Sequence, residues 1–115
     1  MILNEVTYDD AKPVEGYGPG FFRIAGEVFQ GPILTQISGT KGWGGYGDLT
    51  PLLVLDVDVL FVGTGVEMAH IPSEMRAPIE AAGIGVEVMS TPSACRTYNV
   101  LLSEGRRVAL AVIPV

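Results

Sequence analysis

The sequence predicts an α/β fold in a single domain, with a mixed central sheet, an N-terminal β-hairpin or meander, and helices over about residues 73–82 and 92–104. A glycine-rich, β-type first half gives way after residue 48 to alternating strand and helix signals. The run 59–62 is apolar throughout and ends in Gly63-Thr64-Gly65, which is typical of a buried parallel strand entering a tight loop. With 115 residues, 48% of them hydrophobic, the chain can bury one core, so residues 1–115 are expected to form one domain.

Short β-type segments fill the first half of the chain. They lie at 21–24, 27–30 and 33–37, and Gly26 and Gly31-Pro32 separate them. Glycine and proline between short β-type pieces indicate turns, so this region is predicted to be a hairpin or meander.

The glycine-rich stretch 42–47 is expected to be a loop, and it carries Trp43 and Tyr46. Aromatic side chains on an exposed loop are typical of a surface that binds a protein partner. The same two side chains would also suit the end of a core, and the sequence leaves both interpretations open.

Two helices are predicted in the second half. The first begins at Pro72-Ser73 and ends at Gly83, and Pro78 inside it indicates an irregular first turn or a kink. The second begins at Thr91-Pro92 and runs to about residue 104, with Gly105 as a left-handed cap. The apolar stripe of the second helix is Ala94, Cys95, Tyr98, Leu101 and Leu102.

Segments 59–62, 85–89 and 108–113 are expected to pair in one sheet, because their apolar character requires cover on both faces. The helices that connect them favour parallel neighbours. The short connection after Gly105 also allows the last strand to run antiparallel.

Charge and composition exclude several classes of protein. The net charge of −6 argues against a nucleic-acid partner. The single cysteine allows no internal disulfide, and residues 1–10 carry no basic segment of a signal peptide. The most apolar region is interrupted by Asp56 and Asp58, so no transmembrane span is expected. The protein is therefore expected to be cytoplasmic, and peripheral at the inner membrane where a partner holds it there.

A ligand site is predicted where the parallel strands end and the following helices begin. Gly63, Thr64 and Gly65 would form one lip of a crevice, and Ser90, Thr91 and Ser93 would form the other. Hydroxyls and the amides of a helix start favour a small anion.

Arg96 strengthens this interpretation, because a cation early in a helix is opposed by the helix dipole and would gain from a bound anion. The alternative is structural. Thr91 would then be an ordinary N-cap, the glycines would be turn residues, and Arg96 would pair with an acid such as Glu67.

No catalytic set can be recognised. Cys95 lies on the apolar stripe of its helix, where a buried, inert cysteine is more common than a nucleophile. His70 is the single histidine, and with one histidine and one cysteine a zinc site would depend on carboxylates, which argues against metal catalysis. Nucleotide-binding glycine motifs are also missing. No metal, cofactor or catalytic residue is therefore assigned.

Four segments resemble a known family. They are 48–51, 63–65, 82–89 and above all 91–106, and the resemblance covers nearly the whole chain. The family is that of small α/β domains of unknown function, which includes mitochondrial complex I assembly factor three and the adipogenesis-associated Mth938 domain-containing protein. The resemblance implies a mixed sheet flanked by helices and, for the mitochondrial branch, a role in assembling NADH dehydrogenase. It carries over no catalytic residue.

The chain departs from many family members in its short connection between Pro51 and Asp58, where a longer helix is common. The leading hypothesis is a bacterial, non-catalytic interaction or assembly protein that works on membrane-complex subunits from the soluble side. The alternative is a small anion- or metabolite-binding protein or enzyme that uses the crevice at Gly63–Gly65 and Thr91–Arg96.

Overall fold

A computed structural model of the protein describes residues 11–115. Its first three strands form an antiparallel sheet in which the middle strand pairs with both others. These strands are β1 (Val14–Gly18), β2 (Phe21–Ile24) and β3 (Glu27–Gln30).

A second, five-stranded sheet forms the centre of the fold, in the order β5-β4-β8-β6-β7. Its strands are β4 (Ile33–Gln36), β5 (Gly39–Gly42), β6 (Val59–Thr64), β7 (Gly85–Met89) and β8 (Val108–Ile113). The helices are α1 (Thr50–Leu53), α2 (Ser73–Ala81) and α3 (Thr91–Ser103). The predicted α/β class with a mixed sheet is confirmed.

The central strand is β8, which is parallel to β6 and antiparallel to β4. The option of a last strand antiparallel to 59–62 is therefore wrong. The α3 crossover carries the chain back along the sheet, so a short connection after Gly105 is enough to start a parallel strand. The strands β7 and β8 are not neighbours, because β6 lies between them.

Two core layers lie on opposite faces of the central sheet. One contains α3 and the three-stranded sheet, with Phe22, Tyr98 and Leu110 buried between them and the central strands. The other contains α1 and α2, with Leu52 and Ile79 buried against the sheet. Because side chains alternate along a strand, β8 supplies valine and leucine to the first layer and alanine to the second.

The helices agree with the sequence pattern apart from details at their ends. Helix α2 continues through Pro78 as one element. The N-cap of α3 is Ser90 and not Thr91, and Gly105 has the left-handed φ of 77° expected after the helix. Along the α3 stripe only Leu101 is half-buried, and its other four residues are buried. Within residues 11–115 the longest helix has 13 residues, too few to cross a bilayer.

Candidate functional site

Gly65 and Thr91 form a reciprocal hydrogen-bonded pair where β6 ends and α3 begins. The Gly65 amide donates to Thr91 Oγ1 at 2.8 Å, and the Thr91 amide donates to the Gly65 carbonyl, also at 2.8 Å. Thr91 Oγ1 in turn donates to the Ile113 carbonyl at 2.6 Å. The fully buried Thr91 hydroxyl thus joins the ends of β6 and β8 to the start of α3.

Gly63 lies at the same place because the chains approach too closely for a side chain. A Cβ atom at this position would lie 2.5 Å from Val112 Cγ1 and 2.9 Å from Thr91 Cα. Glycine therefore allows α3 to sit directly on the sheet.

Thr64 organises the loop that follows β6. Its hydroxyl donates to the Glu67 carbonyl at 2.7 Å and accepts from the Ala69 amide at 3.0 Å. The loop presents Val66 and Met68 to solvent, with 70% and 56% of each residue exposed. Thr64 therefore bonds to two backbone groups of a loop that exposes apolar side chains.

The structure thus brings Gly63, Gly65 and Thr91 together, but their polar groups are bonded to one another. At the helix start, the Ser93 amide is also used, because it donates to the Ser90 hydroxyl at 3.4 Å. An anion at this junction would have to displace hydrogen bonds within the fold. The ligand-binding role of these residues stays a prediction.

Arg96 lies elsewhere, in a groove between β1 and α3 with a volume of about 320 Å³. Its side chain is exposed, and the ion pairs within residues 11–115 are Arg76–Glu80 and Arg107–Asp56. The suggested pairing with Glu67 is not among them. Arg96 sits in the second turn of α3, where the helix dipole has already weakened, so the dipole argument for a bound anion loses force.

In the groove, called here the β1/α3 groove, one side chain connects the two walls. Asn99 donates to the Val14 carbonyl and accepts from the Val14 amide, each at 2.9 Å. The groove is lined by Val14, Glu15, Gly16, Tyr17, Pro92, Cys95, Arg96, Asn99, Val100 and Ser103. A second concavity shares Glu15, Gly16 and Tyr17 with it and adds Arg23.

Sequence reasoning missed this groove because β1 was not predicted. Two signals were present. Asn99 is polar on a helix that otherwise buries its middle turns, and Val100 is apolar on the outward side of the same helix. Neither identifies the strand that lies opposite.

Trp43 is buried, with 4% of the residue exposed, and its Nε1 donates to the Asp48 carbonyl at 3.0 Å. The Tyr46 ring packs edge-on against it with the ring centroids 6.1 Å apart, and burial raises the pKa of Tyr46. Trp43 therefore closes the end of the core formed by α1 and α2. A partner-binding role for Trp43 and Tyr46 stays a prediction, and the half-buried Tyr46 is the more accessible of the two.

Cys95 and His70 lie in different surroundings. Cys95 is buried in the layer beneath α3, and burial raises the pKa of its thiol to about 12. His70 is exposed beside α2 and β7. A thiol with so high a pKa is a poor nucleophile near neutral pH. In the part of the chain that the structure describes, no three potential metal ligands come together.

Comparison with known proteins identifies the family to which the chain belongs. The family model described as "Protein of unknown function (DUF498/DUF598)" matches residues 14–113. The chain belongs to this family. Within the DUF498/DUF598 family, an uncharacterized protein of Rhodobacter capsulatus is 47% identical over 116 residues, which cover 99% of this chain and 94% of that protein.

A second relative carries a name that states a function. The zebrafish (Danio rerio) protein named NADH dehydrogenase (ubiquinone) 1 alpha subcomplex assembly factor 3 is 34% identical over 110 residues. The match covers 88% of this chain and 63% of the zebrafish protein. Its name confirms the resemblance to the complex I assembly factor.

Among solved structures, a Mth938-like domain of Bordetella pertussis superposes with a TM-score of 0.76 at 29% identity. The superposition covers 99% of this chain and 92% of the Bordetella domain. The fold implied by the family resemblance is therefore confirmed.

Proposed function

We propose that the protein is a non-catalytic interaction protein that assists the assembly of a respiratory NADH dehydrogenase, or of another membrane complex, from the soluble side. The observation that carries this proposal is the 34% identity to the zebrafish assembly factor over 88% of the chain. The match covers 63% of the zebrafish protein, and the proposal places the assembly activity in this shared region.

The surface of the domain supports an interaction role. Val66 and Met68 are exposed on a loop that Thr64 holds in place, and Tyr17 and Val100 are exposed at the β1/α3 groove. Apolar side chains on an ordered surface lose little conformational entropy when a partner covers them. The burial of Cys95 and its separation from His70 favour a role that needs no side-chain chemistry.

Location follows from the same proposal. A protein that assembles a membrane complex from the soluble side would be cytoplasmic and would reach the inner membrane through its partner. Cell fractionation with and without that partner would test this expectation.

The assembly function can be tested in the native organism by deleting the gene and separating membrane complexes on native gels. We expect the deletion strain to contain less assembled NADH dehydrogenase and the wild-type gene to restore it. In a separate purification, respiratory subunits should be enriched with a tagged wild-type protein. The Arg107→Ala gene serves as a further control and should restore the complex as the wild-type gene does, because Arg107 is exposed, paired with Asp56 and outside the groove. An unchanged complex together with no enriched subunit would overturn the proposal.

The alternative function is binding of a small anion or metabolite at Gly63–Gly65 and Thr91–Arg96. The amides of Gly65 and Thr91 are already bonded within the fold, so an anion would depend on the exposed guanidinium of Arg96 as its donor. Titration with phosphate or small dicarboxylates would raise the melting temperature of the wild type, and not that of Arg96→Ala, if this alternative holds. A flat response in both proteins favours the assembly function.

A further inference from the structure

We propose that the β1/α3 groove binds an extended, acidic segment of a protein partner, with its backbone along the edge of β1 and a carboxylate on Arg96. This inference rests on the proposed function, because it names the chemistry of the partner through which the protein would act.

The edge of β1 provides the first argument. Strand β1 is at the edge of the three-stranded sheet and pairs with β2 alone among the described strands. On its other side, Asn99 contacts both the amide and the carbonyl of Val14 at 2.9 Å, as the peptide group of a neighbouring strand would. One side-chain amide thus occupies the free edge of β1 at Val14, and an extended backbone could continue along that edge beyond the register irregularity between Val14 and Gly16.

The charges in the groove provide the second argument. The chain has a net charge of −6, yet Arg96 brings an exposed guanidinium to this groove. Glu15 is the other charged residue in its lining, and its Oε1 already accepts from the Gly26 amide at 2.9 Å. Arg23 adds a second guanidinium in the adjoining concavity. The two concavities together carry two arginines and one glutamate, so an acidic segment is a better electrostatic match than a basic one.

The apolar surface provides the third argument. Tyr17 and Val100 stand on opposite sides of the groove with 40% and 51% of each residue exposed. Because side chains alternate along an extended chain, a segment with alternating acidic and apolar residues could place acids near Arg96 and apolar groups between Tyr17 and Val100. The groove volume of about 320 Å³ suits a few side chains. It therefore fits a short segment better than a folded domain.

Two blocked five-residue peptides test the inference, Val-Glu-Val-Glu-Val and Val-Lys-Val-Lys-Val. Each is titrated into the full-length, ¹⁵N-labelled protein, and amide chemical shifts are followed. We expect the glutamate peptide to shift the amides of Gly16, Tyr17 and Val100, and the lysine peptide to leave them in place. Raising the salt concentration should weaken the binding.

Two variants assign the effect to the groove. Arg96→Gln keeps a polar, hydrogen-bonding side chain, although a shorter one, and removes its charge, so binding of the glutamate peptide should weaken by about threefold to tenfold. Arg107→Gln removes an exposed arginine outside the groove and should bind as the wild type does.

The inference is overturned if neither peptide shifts the groove amides, or if both peptides bind equally well. It is also overturned if the groove amides shift with protein concentration alone, since a second copy of the chain would then be the occupant. Failure with the peptides, combined with respiratory subunits that still co-purify with Arg96→Gln, would leave the assembly function in place and move its docking surface elsewhere.

Discussion

Thr91 and Gly65, which are 26 residues apart in the sequence, are joined by two hydrogen bonds. The Thr91 hydroxyl accepts from the Gly65 amide, and the Thr91 amide donates to the Gly65 carbonyl. Helix α3 is thereby fixed to the end of β6 by polar contacts as well as by its buried stripe.

Replacing Thr91 by valine should destabilise the protein by about 1–3 kcal/mol or more, because a buried donor at Gly65 and an acceptor at Ile113 both lose their partner. Hydrogen exchange of the Gly65 amide should become faster. Thr91→Ser keeps the hydroxyl and should keep that amide protected. Equal exchange rates in the two variants would show that the hydroxyl does not hold the junction.

Gly63→Ala should cost about 1–3 kcal/mol of unfolding free energy, because the added methyl group would overlap Val112 and Thr91. Gly42→Ala is the matched control, since a Cβ there has no neighbour within 4 Å. Urea denaturation of both variants measures the difference. A Gly63→Ala protein as stable as Gly42→Ala would mean that α3 can move away from the sheet without loss.

Leu102→Ala should cost about 2–5 kcal/mol, because this residue is buried against the sheet with 4% exposed. Val100→Ala on the outward side of α3 should cost less than about 0.5 kcal/mol. Chemical denaturation measures the unfolding free energy of both variants. Equal losses would mean that the buried side of α3 is assigned incorrectly.

Tyr98 is fully buried, and its hydroxyl has no hydrogen-bond partner among residues 11–115. The Thr35 hydroxyl lies close enough to lower the pKa of Tyr98 but is itself bonded to Thr40 Oγ1 at 2.6 Å. We take the pair as a polar contact short of a hydrogen bond. Tyr98→Phe should therefore leave the unfolding free energy unchanged or raise it by up to about 1–3 kcal/mol. A clear loss of stability would mean that the hydroxyl is bonded, directly or through water.

Stability should also fall in alkali. Burial raises the pKa of Cys95 from 9.0 and that of Tyr98 from 10.0, each to about 12. The folded state therefore holds these protons more tightly than the unfolded chain does. Their contribution is complete below pH 9.0 and is lost as the pH rises towards about 12. The variant Tyr98→Phe should lose less stability than the wild type between about pH 10 and about pH 12 in urea titrations. Parallel losses in the two proteins would contradict this assignment.

Long apolar segments were predictable from the sequence, and glycine-rich strands were not. The runs 59–62 and 108–113 carry their own burial signal, so their shared sheet follows from composition and connection. Strands β1 and β5 contain two glycines each, and glycine has a low β-propensity. Their own sequences therefore do not predict strands, although pairing with neighbouring strands stabilises them. Segment 33–37 was assigned to the N-terminal meander, but β4 belongs to the central sheet because β8 pairs with it.

The candidate site was predictable in part for the same reason. Gly63, Gly65 and Thr91 meet because parallel strands end at one edge of a sheet, which topology alone dictates. Whether the amides there are available depends on which hydroxyl or carbonyl oxygen lies within hydrogen-bond distance of each amide, and a sequence does not contain those distances. Arg96 faces β1, a strand that its own composition conceals.

The central position of β8 sets an order for folding. Strands β4 and β6 are both paired through β8, which follows all the other described elements along the chain. During synthesis the earlier segments can collapse, but the two halves of the sheet stay unjoined until residues 108–113 leave the ribosome. Until then, the edges of β4 and β6 that pair with β8 are exposed. A chaperone that recognises unpaired strands could bind them during that interval.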